Sequence, residues 1–186
     1  MIIGITGTIG AGKGTIVEFL KKKGFNHFSA RSFINEEIVK RGLTINRDNM
    51  VLVANDMRAK HSPSYVAEEL FLRAQKKGRD SILESLRTPG EIDKLREEKD
   101  FILFAVDANQ KIRFQRVKQR NDIQSDDVDF QKFVEQEKKE MNSTDPNKQN
   151  LSKCIQMADY IFINDGSIEE LEKQVNEVLK NDKSKN

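Results

Sequence analysis

Ile2-Ile3-Gly4-Ile5-Thr6-Gly7-Thr8-Ile9-Gly10-Ala11-Gly12-Lys13-Gly14-Thr15 is the stretch that decides the fold. Ile2–Thr6 is a short β-branched run. A helical pattern with Ile16, Val17, Phe19 and Leu20 on its inner side begins at Lys13 and stops at Gly24. Between them stands Gly7-x-x-x-x-Gly12-Lys13, in the strand–loop–helix context that a phosphate-binding loop requires. Glycines let the backbone wrap an anion with its N–H groups turned inward. The first turn of the helix adds free N–H groups and the positive end of its dipole. Lys13 supplies a mobile point charge for the β- and γ-phosphates of a nucleotide. Gly10, Ala11, Gly12, Lys13, Gly14 and Thr15 are therefore the candidate phosphate contacts. A glycine-rich turn that binds nothing is the alternative, and the coincidence of strand, spacing, lysine and helix argues against it.

Outward from the loop, strand-like and helix-like segments alternate. Phe25–Ser29, Asp80–Glu84, Phe101–Asp107 and Tyr160–Asn164 are further strand candidates. Near-continuous apolar runs such as Phe101-Ile102-Leu103-Phe104-Ala105-Val106 suit strands buried on both faces of a parallel sheet. Thr88-Pro89-Gly90-Glu91 reads as a capping box with proline at the first helical position. Ser167-Ile168-Glu169-Glu170 is a second one, leading into Leu171, Val175, Val178 and Leu179 at helical spacing. The alternation predicts a mostly parallel sheet with helices on both faces. Two stretches interrupt it. Residues 30–78 are helical without a strand, and residues 121–145 are acidic and polar, with a helix over Phe130–Met141. Both read as insertions in a single domain with core segments 1–29, 79–120 and 146–186.

Composition bounds the function. Leu, Ile, Val and Phe make up 51 of 186 residues, enough for one core. No apolar run approaches the length of a membrane span, and the N-terminus lacks a signal-peptide pattern. Cys154 is the sole cysteine, so no intrachain disulfide is possible and a reducing, cytoplasmic setting is the expectation. Residues 1–120 carry 23 Lys+Arg against 15 Asp+Glu, whereas residues 121–186 carry 9 against 15. All 11 arginines lie between Arg31 and Arg120, and the planar guanidinium suits phosphate. A chance surface distribution explains the same counts equally well. With net charge +2 and no basic run interleaved with aromatics, nucleic acid is not an expected partner.

The Gly12-Lys13-Gly14-Thr15 ending resembles adenylate kinase and its nucleoside monophosphate kinase relatives. Gly14 stands where most phosphate loops place a Ser or Thr on Mg²⁺. In the family it resembles, the metal is held largely through water oriented by a carboxylate from a neighbouring strand. Ala158-Asp159-Tyr160-Ile161-Phe162-Ile163-Asn164-Asp165-Gly166-Ser167 resembles the last strand and helix of dephospho-coenzyme A kinase, which implies a base-side role for Asn164 and Gly166. A capped turn with only backbone duties is the alternative for these two. The resemblances imply a three-layer P-loop α/β sandwich with five parallel strands in the order 2-3-1-4-5.

Further site residues follow from the same resemblance. The family carries Asp-Gly-x-Pro-Arg after its third strand. Here Glu84-Ser85-Leu86-Arg87 is one residue shorter, which puts the reach of Arg87 in question. Glu84 would orient metal-bound water, with Thr15 also near the metal, and Arg87 would clamp the acceptor phosphate. A structural ion pair is the alternative for Glu84. Arg31 and Arg58, in the helical insertion, are acceptor candidates, with solvated surface arginines as the alternative. Arg113, Arg116 and Arg120 share a helical face. Arg116 and Arg120 resemble the Arg-x-x-x-Arg pair that closes over ATP, a basic solvated helix being the alternative. No arginine follows Arg120, so Lys132, Lys138 and Lys139 are the cations left for a lid over residues 121–145. The expected activity is transfer of the γ-phosphoryl of Mg·ATP to a nucleoside or deoxynucleoside monophosphate, by a monomer or homodimer. A dephospho-coenzyme A kinase-like enzyme and a slow P-loop ATPase switch are the alternatives.

Overall fold

A computed structural model of the chain describes residues 1–78, 80–119 and 129–183. Five strands form one sheet: β1 (Ile2–Gly7), β2 (Asn26–Ser29), β3 (Ser81–Glu84), β4 (Phe101–Asp107) and β5 (Tyr160–Ile163). The order is β2-β3-β1-β4-β5 and every pairing is parallel. Each expected strand is present within a residue or two of its expected ends.

Alternation along the strands feeds two cores. Ile82, Ile3, Ile5 and Phe104 face one side, where they pack with Ile16, Val17 and Leu20 of α1 (Lys13–Lys22) and Leu171 and Val175 of α9 (Ile168–Lys183). Leu83 and Leu103 face the other. That side is covered by α2 (Ala30–Lys40), α3 (Arg47–Lys60), α4 (Tyr65–Lys77), α5 (Pro89–Leu95) and α8 (Leu151–Gln156). The sandwich therefore has three layers, with both faces of the central strands dry, as their unbroken apolar sequence requires. A small third cluster of Ile9, Val117 and Phe133 joins the glycine-rich loop to α6 (Gln110–Lys118) and α7 (Phe130–Met141).

The helix boundaries follow their capping residues. Thr88 accepts from the Glu91 N–H while the Glu91 carboxylate accepts from the Thr88 N–H, closing the expected box. Ser167 and Glu170 make the same reciprocal pair. Residues 30–78 form α2, α3 and α4, and α7 spans the residues read as helical. Arg120 and the acidic run Asp126-Asp127-Val128 lie outside the described residues, so the expected Arg116–Arg120 pair is described only at its first member. Among the described residues no helix is long and apolar enough to cross a membrane.

Candidate functional site

β1 ends at Gly7, and the chain then turns through Thr8–Gly12 into α1. Gly10 and Gly12 hold φ of 77° and 112°, in the left-handed region. Gly12 caps α1 by backbone alone, with no side-chain hydrogen bond, so the helix's first amides are left to an external anion. Gly10, Gly12, Lys13 and Gly14 line a cavity of about 270 Å³ together with Ile9, Ser29, Arg31, Glu84, Ser85 and Arg87. The Lys13 ammonium donates to the carbonyls of Gly7 (2.8 Å) and Thr8 (2.7 Å). Ala11 is fully buried behind the loop, and neither it nor Thr15 is among the lining residues.

The shortened motif does deliver both of its charged ends to this cavity. Ser85 has φ of 72°, the only positive value at a non-glycine among the described residues. It stands where the resembled motif has glycine. Ser85 and Leu86 both donate to the Ile5 carbonyl, at 2.9 and 3.1 Å. The chain thus turns sharply at the strand end, and Glu84 and Arg87 reach the same space. Glu84 is paired with His27 at 2.9 Å. Burial pushes the Glu84 carboxyl upward, but His27, Lys13 and Arg31 outweigh it and hold the group below its ordinary 4.5.

A second cavity, of about 70 Å³, adjoins the first and shares Ile9, Arg31, Ser85 and Arg87 with it. Arg47 and Arg58 of α3 enter from the other side, over an apolar lining of Ala30, Ile34, Met50, Val51 and Ala54. Arg58 is not a solvated surface residue. It is 2% exposed, and its Nε and Nη2 donate to Glu91, 1% exposed, at 3.1 and 2.7 Å. Its Nη1 is buried without a hydrogen-bond partner among the described residues. Arg87 Nη1 donates to Glu140 of α7 (3.0 Å) and to Gln149 (2.7 Å). Arg47 donates to the other oxygen of Glu140. Burial raises the Glu140 carboxyl, and Arg87 and then Arg47 more than reverse this, so its pKa lies below the ordinary 4.5.

The base-side candidates take other positions. Asn164, at the end of β5, is 6% exposed, and its amide nitrogen donates to the Ala11 carbonyl at 2.7 Å. Its side chain is thus spent on the back of the loop, because the Ala11 oxygen is buried and needs a donor. Arg116 Nη1 donates to the Asn164 carbonyl at 2.9 Å. Gly166 sits in the exposed turn before α9, beside the Ser167–Glu170 cap. Arg113 does not fit the alternative of a basic solvated helix. It is 4% exposed and donates to Ala108 O, Ile9 O and Glu137 at 2.8, 3.3 and 2.7 Å.

Sequence reasoning missed Asp107, which accepts from Thr8 Oγ1 at 2.6 Å. Its signal was the one that found Glu84, a carboxylate closing an apolar strand beside the loop. Glu137 and Glu140 carried no such signal, since they look like ordinary polar positions on α7. No group of three or more His, Cys, Asp or Glu among the described residues could hold a metal by itself.

Comparisons with known proteins agree with this architecture. A family described as an AAA domain matches residues 3–142. A UPF0200 protein of Thermococcus gammatolerans is 32% identical over 181 residues, covering 94% of this chain and 92% of the relative. Among solved structures, TT1252 from Thermus thermophilus aligns with a TM-score of 0.62 at 21% identity, over 97% of both chains. Shikimate kinase from Bacteroides thetaiotaomicron aligns with a TM-score of 0.62 at 15% identity, over 97% of this chain and 98% of that one. These likenesses establish a P-loop kinase-like fold. With the family match running from β1 into the end of α7, the chain belongs to the AAA-domain family.

Proposed function

We propose that this protein is an ATP-dependent small-molecule phosphotransferase whose acceptor is a nucleoside or deoxynucleoside monophosphate. One observation carries the reading. The phosphate-loop cavity and an arginine-lined cavity meet at a common wall of Ile9, Arg31, Ser85 and Arg87. A donor phosphate on one side and an anionic acceptor on the other would be juxtaposed there, and phosphoryl transfer depends chiefly on such positioning and on cationic stabilisation.

The residues fit ATP and a divalent ion. The positive-φ glycines let the loop lie flat against the body behind it, where a Cβ at Gly10 would come 2.5 Å from the Arg113 carbonyl, and leave the cavity-facing side to backbone amides. Lys13 and the amides of Gly10, Gly12 and Gly14 would bind the donor phosphates. Arg87 and Arg31 on the shared wall, with Arg58 and Arg47, would hold the acceptor anion, and Arg87 and Arg31 would also neutralise charge on the group in transit. Glu84, with Thr15 in the first turn of α1, would orient water on Mg²⁺. The metal supplies Lewis-acid stabilisation of phosphate oxygens when bound. Arg116, which donates to the Asn164 carbonyl, would close over the donor nucleotide, with Arg120 proposed as its partner.

A hydroxyl acceptor, as in a dephospho-coenzyme A kinase-like reaction, would call for a general base. The carboxylates lining the two cavities are Glu84 and Glu140, the first already bonded to His27 and the second to Arg47 and Arg87. A phosphate acceptor arrives ionised and needs no base. A slow ATPase switch is the second reading, and the pairing of Glu140 with two of the acceptor-side arginines favours it, because the protein's own carboxylate then fills the acceptor position.

The test is ADP release from Mg·ATP against ribo- and deoxyribonucleoside monophosphates and dephospho-coenzyme A. Strong stimulation by a monophosphate supports the proposal. Stimulation by dephospho-coenzyme A alone selects the hydroxyl kinase. ATP binding with no stimulated turnover selects the switch.

A further inference from the structure

The loop is held from behind, and the way it is held fixes the direction of its amides. In a trans peptide the C=O and the following N–H point in opposite directions across one plane. The Ala11 carbonyl is drawn to the Asn164 amide at 2.7 Å. The same peptide's N–H, on Gly12, is thereby turned the other way, and Gly12 lines the loop cavity. The side chain also explains why residue 12 is glycine. A Cβ there would lie 2.2 Å from Asn164 Nδ2, and φ is 112°.

Asn164 is itself immobilised. Its N–H donates to the Asp107 carbonyl at 2.8 Å, and its carbonyl accepts from Arg116 at 2.9 Å. Asp107 meanwhile holds Thr8 at the start of the loop. Arg113 repeats the device one turn earlier, donating to the Ile9 carbonyl, which points the Gly10 amide away from that oxygen. The loop is thus fixed from β4, β5 and α6, while its other face lines the cavity.

We propose that Asn164 is a positioning residue: it orients the Ala11–Gly12 peptide so that the Gly12 amide faces a bound phosphate. It acts through the loop and does not touch the nucleotide. The proposal rests on the reading of the loop as the donor site, and the experiment separates the two.

Asn164→Asp and Asn164→Ala are compared with the unaltered chain by calorimetric ATP titration, by thermal unfolding, and by amide hydrogen exchange over residues 8–14 without nucleotide. Aspartate keeps the shape but sets a carboxylate against the Ala11 oxygen, so the peptide is repelled. Alanine removes the donor. The expected result is a roughly ten- to hundredfold weaker ATP affinity in folded protein, the size of losing one donor to a buried acceptor. Faster exchange at the loop amides and a larger loss for aspartate than for alanine should accompany it. Folded Asn164 variants with ATP affinity within twofold of the unaltered chain and unchanged exchange would overturn the proposal. If the unaltered chain itself fails to bind ATP, the donor-site reading falls and takes this role with it, whatever the exchange data show. A purely structural role would lower the unfolding temperature and leave the affinity of the folded molecules unchanged, which also counts against the proposal.

Discussion

Glu140 reaches from α7 to within 3.0 Å of Arg87 Nη1, so the arginine on the wall between the two cavities already carries an anion from another element. The arginine-lined cavity is small in this arrangement, about 70 Å³, against roughly 300–1,000 Å³ for sites that enclose drug-sized ligands. On the proposed function, an anionic acceptor would compete with Glu140 for Arg87 and Arg47. Glu140→Gln should lower the acceptor KM several-fold, read from ADP release, and an unchanged or raised KM would show that Glu140 only supports the arginines.

The same pair gives an acid-sensitive contribution to stability. The Glu140 carboxyl lies below its ordinary 4.5 in the fold. The stabilisation is therefore present above 4.5 and is lost as pH falls through the folded-state value. Urea midpoints at pH 7 and pH 3.5 should converge between the unaltered chain and Glu140→Gln at the lower pH. A gap that stays constant would remove the pair from the acid response.

Lys13 bonds to loop carbonyls and belongs to neither core cluster. Lys13→Ala should cut turnover by roughly 10²–10³-fold, the range seen when one electrostatic donor is removed from a transition state. Its urea midpoint should be nearly unchanged. Near-native turnover would sink the assignment of the loop to the donor phosphates.

Arg58 combines two duties that variants can separate. Alanine there leaves Glu91 buried without its cation, which costs about 3–5 kcal/mol. Arg31 is exposed, so Arg31→Ala should cost less stability than Arg58→Ala while raising the acceptor KM. Equal destabilisation by the two variants, measured by urea unfolding, would contradict the pairing of Arg58 with Glu91.

Ser85 holds a left-handed conformation that costs an L-residue about 1–2 kcal/mol. Ser85→Gly relieves it, offset in part by the entropy glycine adds to the unfolded chain. A net gain of about 0.5–1 kcal/mol is expected by urea unfolding, with activity retained. Destabilisation would mean that the serine side chain has a role of its own.

The sheet was legible because its central strands are apolar runs, and α5 and α9 because they start at capping boxes, both of which are local signals. The loop was legible because its chemistry is written in adjacent residues. The interior positions of Arg113, Arg58 and Asn164 were not legible, for one shared reason. Each is buried against backbone carbonyls or a carboxylate far along the chain, and periodicity sorts residues by polarity without knowing where partners lie. Arg113 sits at a helical position that charge alone assigns to solvent, yet Ile9 O, Ala108 O and Glu137 make that position a polar interior. Ser85 was obscured differently: nothing in its side chain announces a positive φ, and only its alignment with a motif glycine hinted at it.

The 153-residue separation between Ala11 and Asn164 bears on how the molecule is made. The loop motif leaves the ribosome 153 residues ahead of its support. At roughly 5–20 residues per second of synthesis, about eight to thirty seconds pass between them. Throughout that interval the growing chain carries the motif without the strand that orients it. A chain cut before β5 would keep every residue by which the motif is recognised, yet lack the donor that sets its geometry.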